Sequence, residues 1–330
     1  MGHDVAAIGH ALVDVLASVP DQFLLDHAIA KGVMTMIDEY RASTLYAALE
    51  GPREVAGGSA ANTLAGLASF GGTGFFIGKV KDDRLGGSFS ASMAETGLDF
   101  TVARAIDGEQ TGCCVIAVTA DGERSMNTYL GAASRLAPED VDADAVAACK
   151  ALYIEGYMWD VPNAKAAINK AIVAAKAAKV PIALTLSDPF CVGRFRDEFL
   201  QLLRGALDLV FANEEEIKAL FEVATFDEAL QALKDWKGIA ALTRSEKGCV
   251  VKRGDELHAV DAVPVNRVVD TTGAGDQFAA GFLYGLTHGM WLADCGRLGC
   301  LGAAECISHY GARPEVNLRE LAAKAGLIRQ

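Results

Sequence analysis

No stretch of this 330-residue sequence approaches the ~18 consecutive apolar residues that a bilayer-spanning helix needs. No Lys or Arg precedes Lys31, so the basic segment that opens a secretory leader is missing and a cytoplasmic location is expected. The eight cysteines, at 113, 114, 149, 191, 249, 295, 300 and 306, form no Cys-x-x-Cys pair and have no suitably spaced histidine pair. Structural zinc and a disulfide framework are therefore disfavoured, and most of these thiols sit in apolar runs, where they act as small hydrophobes. Positive charge is also short: 30 basic residues against 43 acidic ones leave a formal charge of −13. A general nucleic-acid or anionic-membrane surface would need a basic stripe, so both are excluded as partners. An anionic substrate is not excluded, because a few local amides can hold a phosphate within an acidic protein.

What is present is an alternation of short β-rich runs with longer helical ones, the mark of an α/β sheet with crossover helices. The runs 5–8, 75–78, 113–118, 152–154, 182–186, 207–211 and 239–242 read as strands. Residues 163–179, 227–236, 277–288 and 293–309 carry helical spacing, and 249–263 reads as a hairpin. No repeat and no Pro/Ser-rich linker divides the chain, so one α/β domain over 1–330 is expected. Segments near 12–40 and 100–131 interrupt the alternation and are expected to form an appended flap.

Ligands of open α/β sheets collect beyond the carboxyl ends of the strands, and the unusual sequence lies there. Asp270-Thr271-Thr272-Gly273-Ala274-Gly275-Asp276 opens an apolar helical run. Small residues at Gly273, Ala274 and Gly275 let successive N–H groups face a ligand, and the helix start adds a partial positive charge. Asp276 beside such an anion site suits phosphoryl transfer, since it can take the proton of an attacking hydroxyl. The plainer alternative is a glycine turn with an aspartate cap. Two common nucleotide loops fail. Gly78-Lys79 runs into Val80 rather than Ser or Thr, and Gly9 is followed by His10, Ala11 and Leu12, so neither a P-loop nor a dinucleotide fingerprint is present.

Gly57-Gly58-Ser59-Ala60-Ala61-Asn62 opens a second helix, where paired glycines permit close approach and Asn62 offers both donor and acceptor to hydroxyls. Asp14, after the first strand, suits a sugar diol or is simply an exposed turn residue. Asn213-Glu214-Glu215-Glu216 either matches the helix dipole or serves a water-bound Mg²⁺. Thr243 to Gly248 is a polar surface loop or a phosphate contact. Tyr157 and Phe190 are candidates to stack on a base, or else core aromatics.

Together these segments resemble the PfkB, or ribokinase-like, family of small-molecule kinases over essentially the whole chain. The resemblance implies a three-layer α/β/α fold with a mostly parallel central sheet and a small β lid. It implies Asp276 as catalytic base with Gly273, Ala274 and Gly275 as anion hole, and Asp14, Gly57, Gly58 and Asn62 as acceptor ligands. The family's Asn-x-x-Glu element is similar to Asn213 and Glu216 and implies a place for Mg²⁺, through water at Glu216. Its Thr-x-Gly-x-x-Gly loop is matched by Thr243 and Gly248, with Ser245 in place of the middle glycine. Thr272, Gly273 and Gly275 complete the implied ATP contacts, and Asp270 and Thr272 fall where relatives bind a monovalent cation such as K⁺. Within the family the chain looks like the adenosine-kinase branch, which places Tyr157 and Phe190 beside the base and Met126 and Leu130 as lid contacts; Asp188 departs from that branch. The expectation is an ATP- and Mg²⁺-dependent kinase acting on a nucleoside, adenosine first (adenosine + ATP to AMP + ADP). A free sugar or sugar acid is the alternative acceptor, and a non-catalytic nucleoside-binding regulator a remote one. Expected partners are these small molecules, with the chain working as a monomer or homodimer.

Overall fold

The computed structural model describes residues 2–100 and 104–329. Positions 101–103, inside the segment expected to belong to the flap, lie outside them. In chain order the strands are β1 (Val5–Ile8), β2 (Leu12–Ser18), β3 (Met34–Met36), β4 (Arg53–Gly57), β5 (Gly74–Ile77), β6 (Asp99–Phe100) and β7 (Thr111–Val118). They continue with β8 (Arg124–Gly131), β9 (Ala151–Glu155), β10 (Ile182–Thr185), β11 (Leu209–Asn213), β12 (Ile239–Thr243), β13 (Cys249–Arg253) and β14 (Glu256–Val260).

Nine of them form one sheet in the order β14-β13-β12-β11-β10-β9-β1-β5-β6. Pairing is parallel from β12 through β6, and only the β12–β13–β14 end is antiparallel. The central strands read as near-continuous apolar runs because helices cover both faces. On one face Phe70, Phe278, Phe282 and Leu298 come from the helices Ser59–Phe70, Ala274–Thr287 and Leu292–Cys306. On the other, Ile168, Phe199 and Ile217 come from Pro162–Ala178, Pro189–Gly205 and Glu214–Phe221. Among the described residues no helix is long and apolar enough to cross a membrane.

The other five strands form a second sheet, β3-β8-β7-β2-β4. Residues 113–118 belong to this small sheet and not to the main alternation, and β4 joins it from outside the two segments that broke the pattern. Strand alternation sorts its faces. Val13, Val15 and Val115 pack against Leu24, Ala42 and Leu45 of the helices Asp21–Asp26 and Glu39–Ala48. The opposite face carries cross-strand rows: Val55–Asp14–Cys114–Thr128–Met36, then Arg53–Leu16–Ile116–Met126–Met34, then Ser18–Val118–Arg124. This second face looks onto the carboxyl edge of the main sheet.

The aromatic packing under that edge makes a direct stability test. Phe282 is fully buried, with its ring edge-on to Phe211 at 5.5 Å. Phe282→Ala is expected to cost about 3–5 kcal/mol, read as a lower urea midpoint with an unchanged denaturant slope.

Candidate active site

Gly273 stands at the head of the helix Ala274–Thr287 with φ +80°, and a Cβ there would run into Ala312. The left-handed turn and the close approach both require glycine. A Cβ on Gly275 would meet nothing within 4 Å, so the space beside its Cα at the helix N-terminus is open. One turn in, Asp276 is half-buried; its carboxylate accepts from Ser59 Oγ at 2.6 Å and Asn62 Nδ2 at 3.3 Å. Burial lifts this carboxyl to about 7; Glu155 and Asp14 push the same way, while the two hydrogen bonds pull against it. A carboxylate ionising near neutrality at a helix N-terminus can accept a proton, while the positive end of the helix favours growing negative charge beside it; the Ala274 N–H is turned to the Thr271 carbonyl at 3.2 Å.

Ser59 and Asn62 are held there by the first turn of the helix Ser59–Phe70. Gly58 takes φ +93° against the carbonyl of His10, and a Cβ on Gly57 would strike the Asp14 carboxylate. Ala60 N–H donates to Glu155 Oε2 at 3.0 Å, and the other Glu155 oxygen lies 3.3 Å from His10 Nδ1, both side chains being buried. Asp14 and Asn62 line a cavity of about 600 Å³ between the two sheets, together with Leu16, Arg124, Thr272 and Arg313. Burial raises the Asp14 carboxyl to about 6, against the pull of Arg313 and Arg124.

A second group lies farther along the same edge. Asn213 and Thr243 are register partners at the ends of β11 and β12. Asn213 Oδ1 accepts Glu216 N–H at 2.8 Å, and the Glu216 carboxyl accepts both Asn213 N–H (3.0 Å) and Nδ2 (2.6 Å). The pair is a helix capping box. Burial nonetheless raises Glu216 to about 7, with the nearby Asp188 adding to it. A buried carboxyl in that condition fits a divalent cation, which would restore its ionised form. Glu214 and Glu215 are occupied by Arg244 and Lys218. Gly248 has φ +76° and no room for a side chain beside Val260. Ser245, where a glycine was expected, is itself left-handed at φ +51°.

A model of the pfkB family carbohydrate kinases matches residues 34–318. The chain belongs to this family. The structure of adenosine kinase from Sinorhizobium meliloti superposes with a TM-score of 0.91 at 48% identity, covering 98% of this chain and 100% of that one. A probable sugar kinase from Rhizobium etli gives 0.92 at 46% identity, covering 99% of each. Adenosine kinase of Saccharomyces cerevisiae is 30% identical over 93% of this chain and 95% of its own. The fold is accordingly ribokinase-like, and the protein is a phosphotransferase with an alcohol group as acceptor.

Against the pfkB pattern, several residues taken from it stand apart from the cavity. Tyr157 is half-buried against the core layer and donates its O–H to the Ser187 carbonyl at 3.3 Å. Phe190, in the first turn of its helix, is 80% exposed, so it is not a core aromatic. Neither lines the cavity. Met126 and Leu130 share the sheet face of Asp14, farther across the lid. At the expected monovalent-cation position, Asp270 Oδ1 accepts only Thr272 N–H, while Oδ2 accepts both Gly311 N–H at 2.9 Å and the Arg124 guanidinium at 3.0 Å.

Sequence reasoning missed Arg124, Arg313, Ser59 as a partner of Asp276, and Gln277. Ser59 stood inside the glycine motif, where the paired glycines and Asn62 carried the reading. Gln277, fully buried, donates to the carbonyls of Asn62 and Ala312 and so ties three segments together; a lone Gln in an apolar helix was its only signal.

The geometry predicts that kcat/KM falls on the acid side with a midpoint near 7, because Asp276 must be ionised to accept a proton. An ordinary carboxylate would put that limb near ~4. Asp276→Asn is expected to lower turnover by ~10²–10⁴ while leaving ATP affinity near wild type. Steady-state kinetics over pH 5–9 and calorimetric ATP titration measure both.

Proposed function

We propose that this kinase transfers the γ-phosphoryl group of ATP to the primary hydroxyl of a nucleoside, with adenosine as the leading acceptor and AMP and ADP as products. The observation that carries the reading is Asp276, hydrogen-bonded to Ser59 and to Asn62, the latter lining the same cavity as Asp14. Asp14, the Gly57-Gly58 backbone and Asn62 bind the ribose hydroxyls. Asp276 takes the proton of the 5′-hydroxyl as its oxygen bonds to the γ-phosphorus and the bond to the β-phosphate oxygen breaks. The amides of Gly273, Ala274 and Gly275 stabilise charge on the transferred group. Asn213, Thr243, Thr272 and Gly248 lie where the nucleotide phosphates and their approach run. Glu216 and Asn213 would hold the waters of Mg²⁺, which supplies charge neutralisation on those phosphates. The 48% identical adenosine kinase and the 30% identical yeast one support a nucleoside acceptor.

A second reading, the same transfer to a free sugar or sugar acid, is supported by the 46% identical probable sugar kinase and by the cavity lining, which includes neither proposed base-stacking aromatic. A side-by-side assay over nucleosides and free sugars decides between them, since a nucleoside site should discard ribose. Phe190→Ala sharpens the test. Because Phe190 is exposed, the variant should melt like the wild type, and a base contact should appear as a 5- to 150-fold higher KM for adenosine, from ~1–3 kcal/mol of stacking. An unchanged adenosine KM removes Phe190 from the nucleoside site.

Glu216→Gln tests the metal assignment. The variant is expected to need several-fold more Mg²⁺ for half-maximal activity, read in a magnesium titration at saturating ATP. A curve superimposable on the wild type leaves Glu216 as a helix cap alone.

A further inference from the structure

Arg313 is a charged residue of the acceptor cavity to which this phosphoryl-transfer scheme gives no task. Its loop is pinned to the helix Ala274–Thr287 by the bond from Gln277 Nε2 to Ala312 O at 2.9 Å. From there the guanidinium reaches three ways. Nε donates to Asn62 Oδ1 at 3.3 Å, Nη1 to Ser92 Oγ at 3.0 Å, and Nη2 faces the Met93 sulfur. The first of these bonds decides how the Asn62 carboxamide lies. With its oxygen engaged by Arg313, the amide can only turn its NH₂ toward Asp276 Oδ2.

The same guanidinium bears on Asp14. The charged and titratable groups that act on Asp14 are Arg313 from its loop, Arg124 from β8, Asp276 from the helix head, and Cys114, its row neighbour on β7, with Cys113 on the far face of the same strand. Arg53 and Glu95 line the same cavity. Arg124 is already paired with Asp270, whereas the hydrogen bonds of Arg313 go to an amide, a hydroxyl and a thioether, none of them charged. Its charge is therefore free to act on Asp14, and of the two arginines it exerts the larger pull.

We propose that Arg313 is a positioning residue of the acceptor site, fixing the orientation of the Asn62 carboxamide and supplying the positive charge that faces Asp14. The proposal rests on the acceptor role given above to Asp14 and Asn62. A plain structural tie would need only the bond to Ser92 of the helix Arg84–Glu95. It would not explain why the guanidinium also engages the one amide that touches Asp276.

Arg313→Met, Arg313→Lys, Asn62→Ala and the Arg313→Met/Asn62→Ala double variant test this, with the acceptor that the wild type uses best. Arg313→Met is expected to raise the acceptor KM at least ~10-fold at pH 7, the scale of a lost charge-assisted contact, with the KM for ATP within about twofold. Removing a positive charge raises the pH at which Asp14 ionises, so the loss should shrink toward pH 9. Arg313→Lys should restore the pH profile but only part of the KM, because an ammonium lacks the planar fork. At pH 9 the double variant should be no worse than Asn62→Ala alone. An equal rise in both KM values, or fully additive losses with an unmoved pH profile, makes Arg313 a structural tie and overturns the proposal. Should Arg313→Met not fold, Arg313→Lys is expected to show a smaller rise in the acceptor KM with the KM for ATP unchanged, and an unmoved acceptor KM in that variant overturns the proposal. A readout free of turnover is the ¹³C titration of the Asp14 carboxyl in the full chain, assigned with Asp14→Asn. Its midpoint must rise in Arg313→Met, and an unmoved midpoint overturns the proposal. If the wild type phosphorylates neither nucleosides nor sugars, the functional reading falls, while this titration still decides what Arg313 does.

Discussion

Gln277 places both amide hydrogens on carbonyls from two other parts of the chain, Asn62 O and Ala312 O, at 3.0 and 2.9 Å. The contact requires the helices Ser59–Phe70 and Ala274–Thr287 to approach closely, and small residues allow it. A Cβ on Gly66 would collide with the Gln277 carboxamide and with Ala280. With these helix starts side by side, Ser59 and Asn62 meet Asp276, and the loop bearing Arg313 is set against Asn62. A buried amide without such partners costs stability, so the contact is self-enforcing: a slipped helix strands Gln277 as well as misplacing Asp276.

The electrostatics follow from that packing. Asp14, Asp276 and Glu216 all lie along the carboxyl edge, and burial pushes each upward, to about 6, 7 and 7. Mutual repulsion adds to the effect between Asp14 and Asp276. A chain of formal charge −13 can thus handle phosphates because its negative charge is partly withheld at this edge, while a helix N-terminus stands beside it and three arginines line the cavity. Net charge excluded extended polyanions and said nothing against a small phosphate ester.

Legibility in the sequence followed locality. Asp270–Asp276 and Gly57–Asn62 could be read because each packs its turn, cap and reactive group into seven residues or fewer, and the strand runs could be read because burial on both faces makes them apolar. The strand β4 was missed because Arg53–Gly57 alternates only weakly and ends in the glycines of the next motif. Arg313 and Gln277 were missed because their partners are far away in sequence and no local pattern marks them. Phe190 had no local pattern behind it: its place beside a base was taken from family likeness alone, and it is exposed in the first turn of a helix that Asp188 caps. Ser245 is the subtler case, since an L-residue occupies the left-handed backbone that glycine would take without strain.

The ion pair between Arg124 and Asp270 gives the small sheet a latch. Of the four passages of the chain between the two sheets, those at Gly9–Ala11, Gly57–Gly58 and Gly131–Ala132 each carry a glycine, and the fourth enters β7 at Thr111. These crossings all lie at one end of the small sheet, near the row of Leu12, while Arg124 stands at the other, in the row of Ser18 and Val118. Opposite the crossings, the Arg124–Asp270 pair, nearly buried on both sides, ties the far rim of the small sheet to the segment that leads into the helix Ala274–Thr287. The cavity that holds Asp14 and Asn62 is thus bounded by chain crossings at one end and by an ion pair at the other.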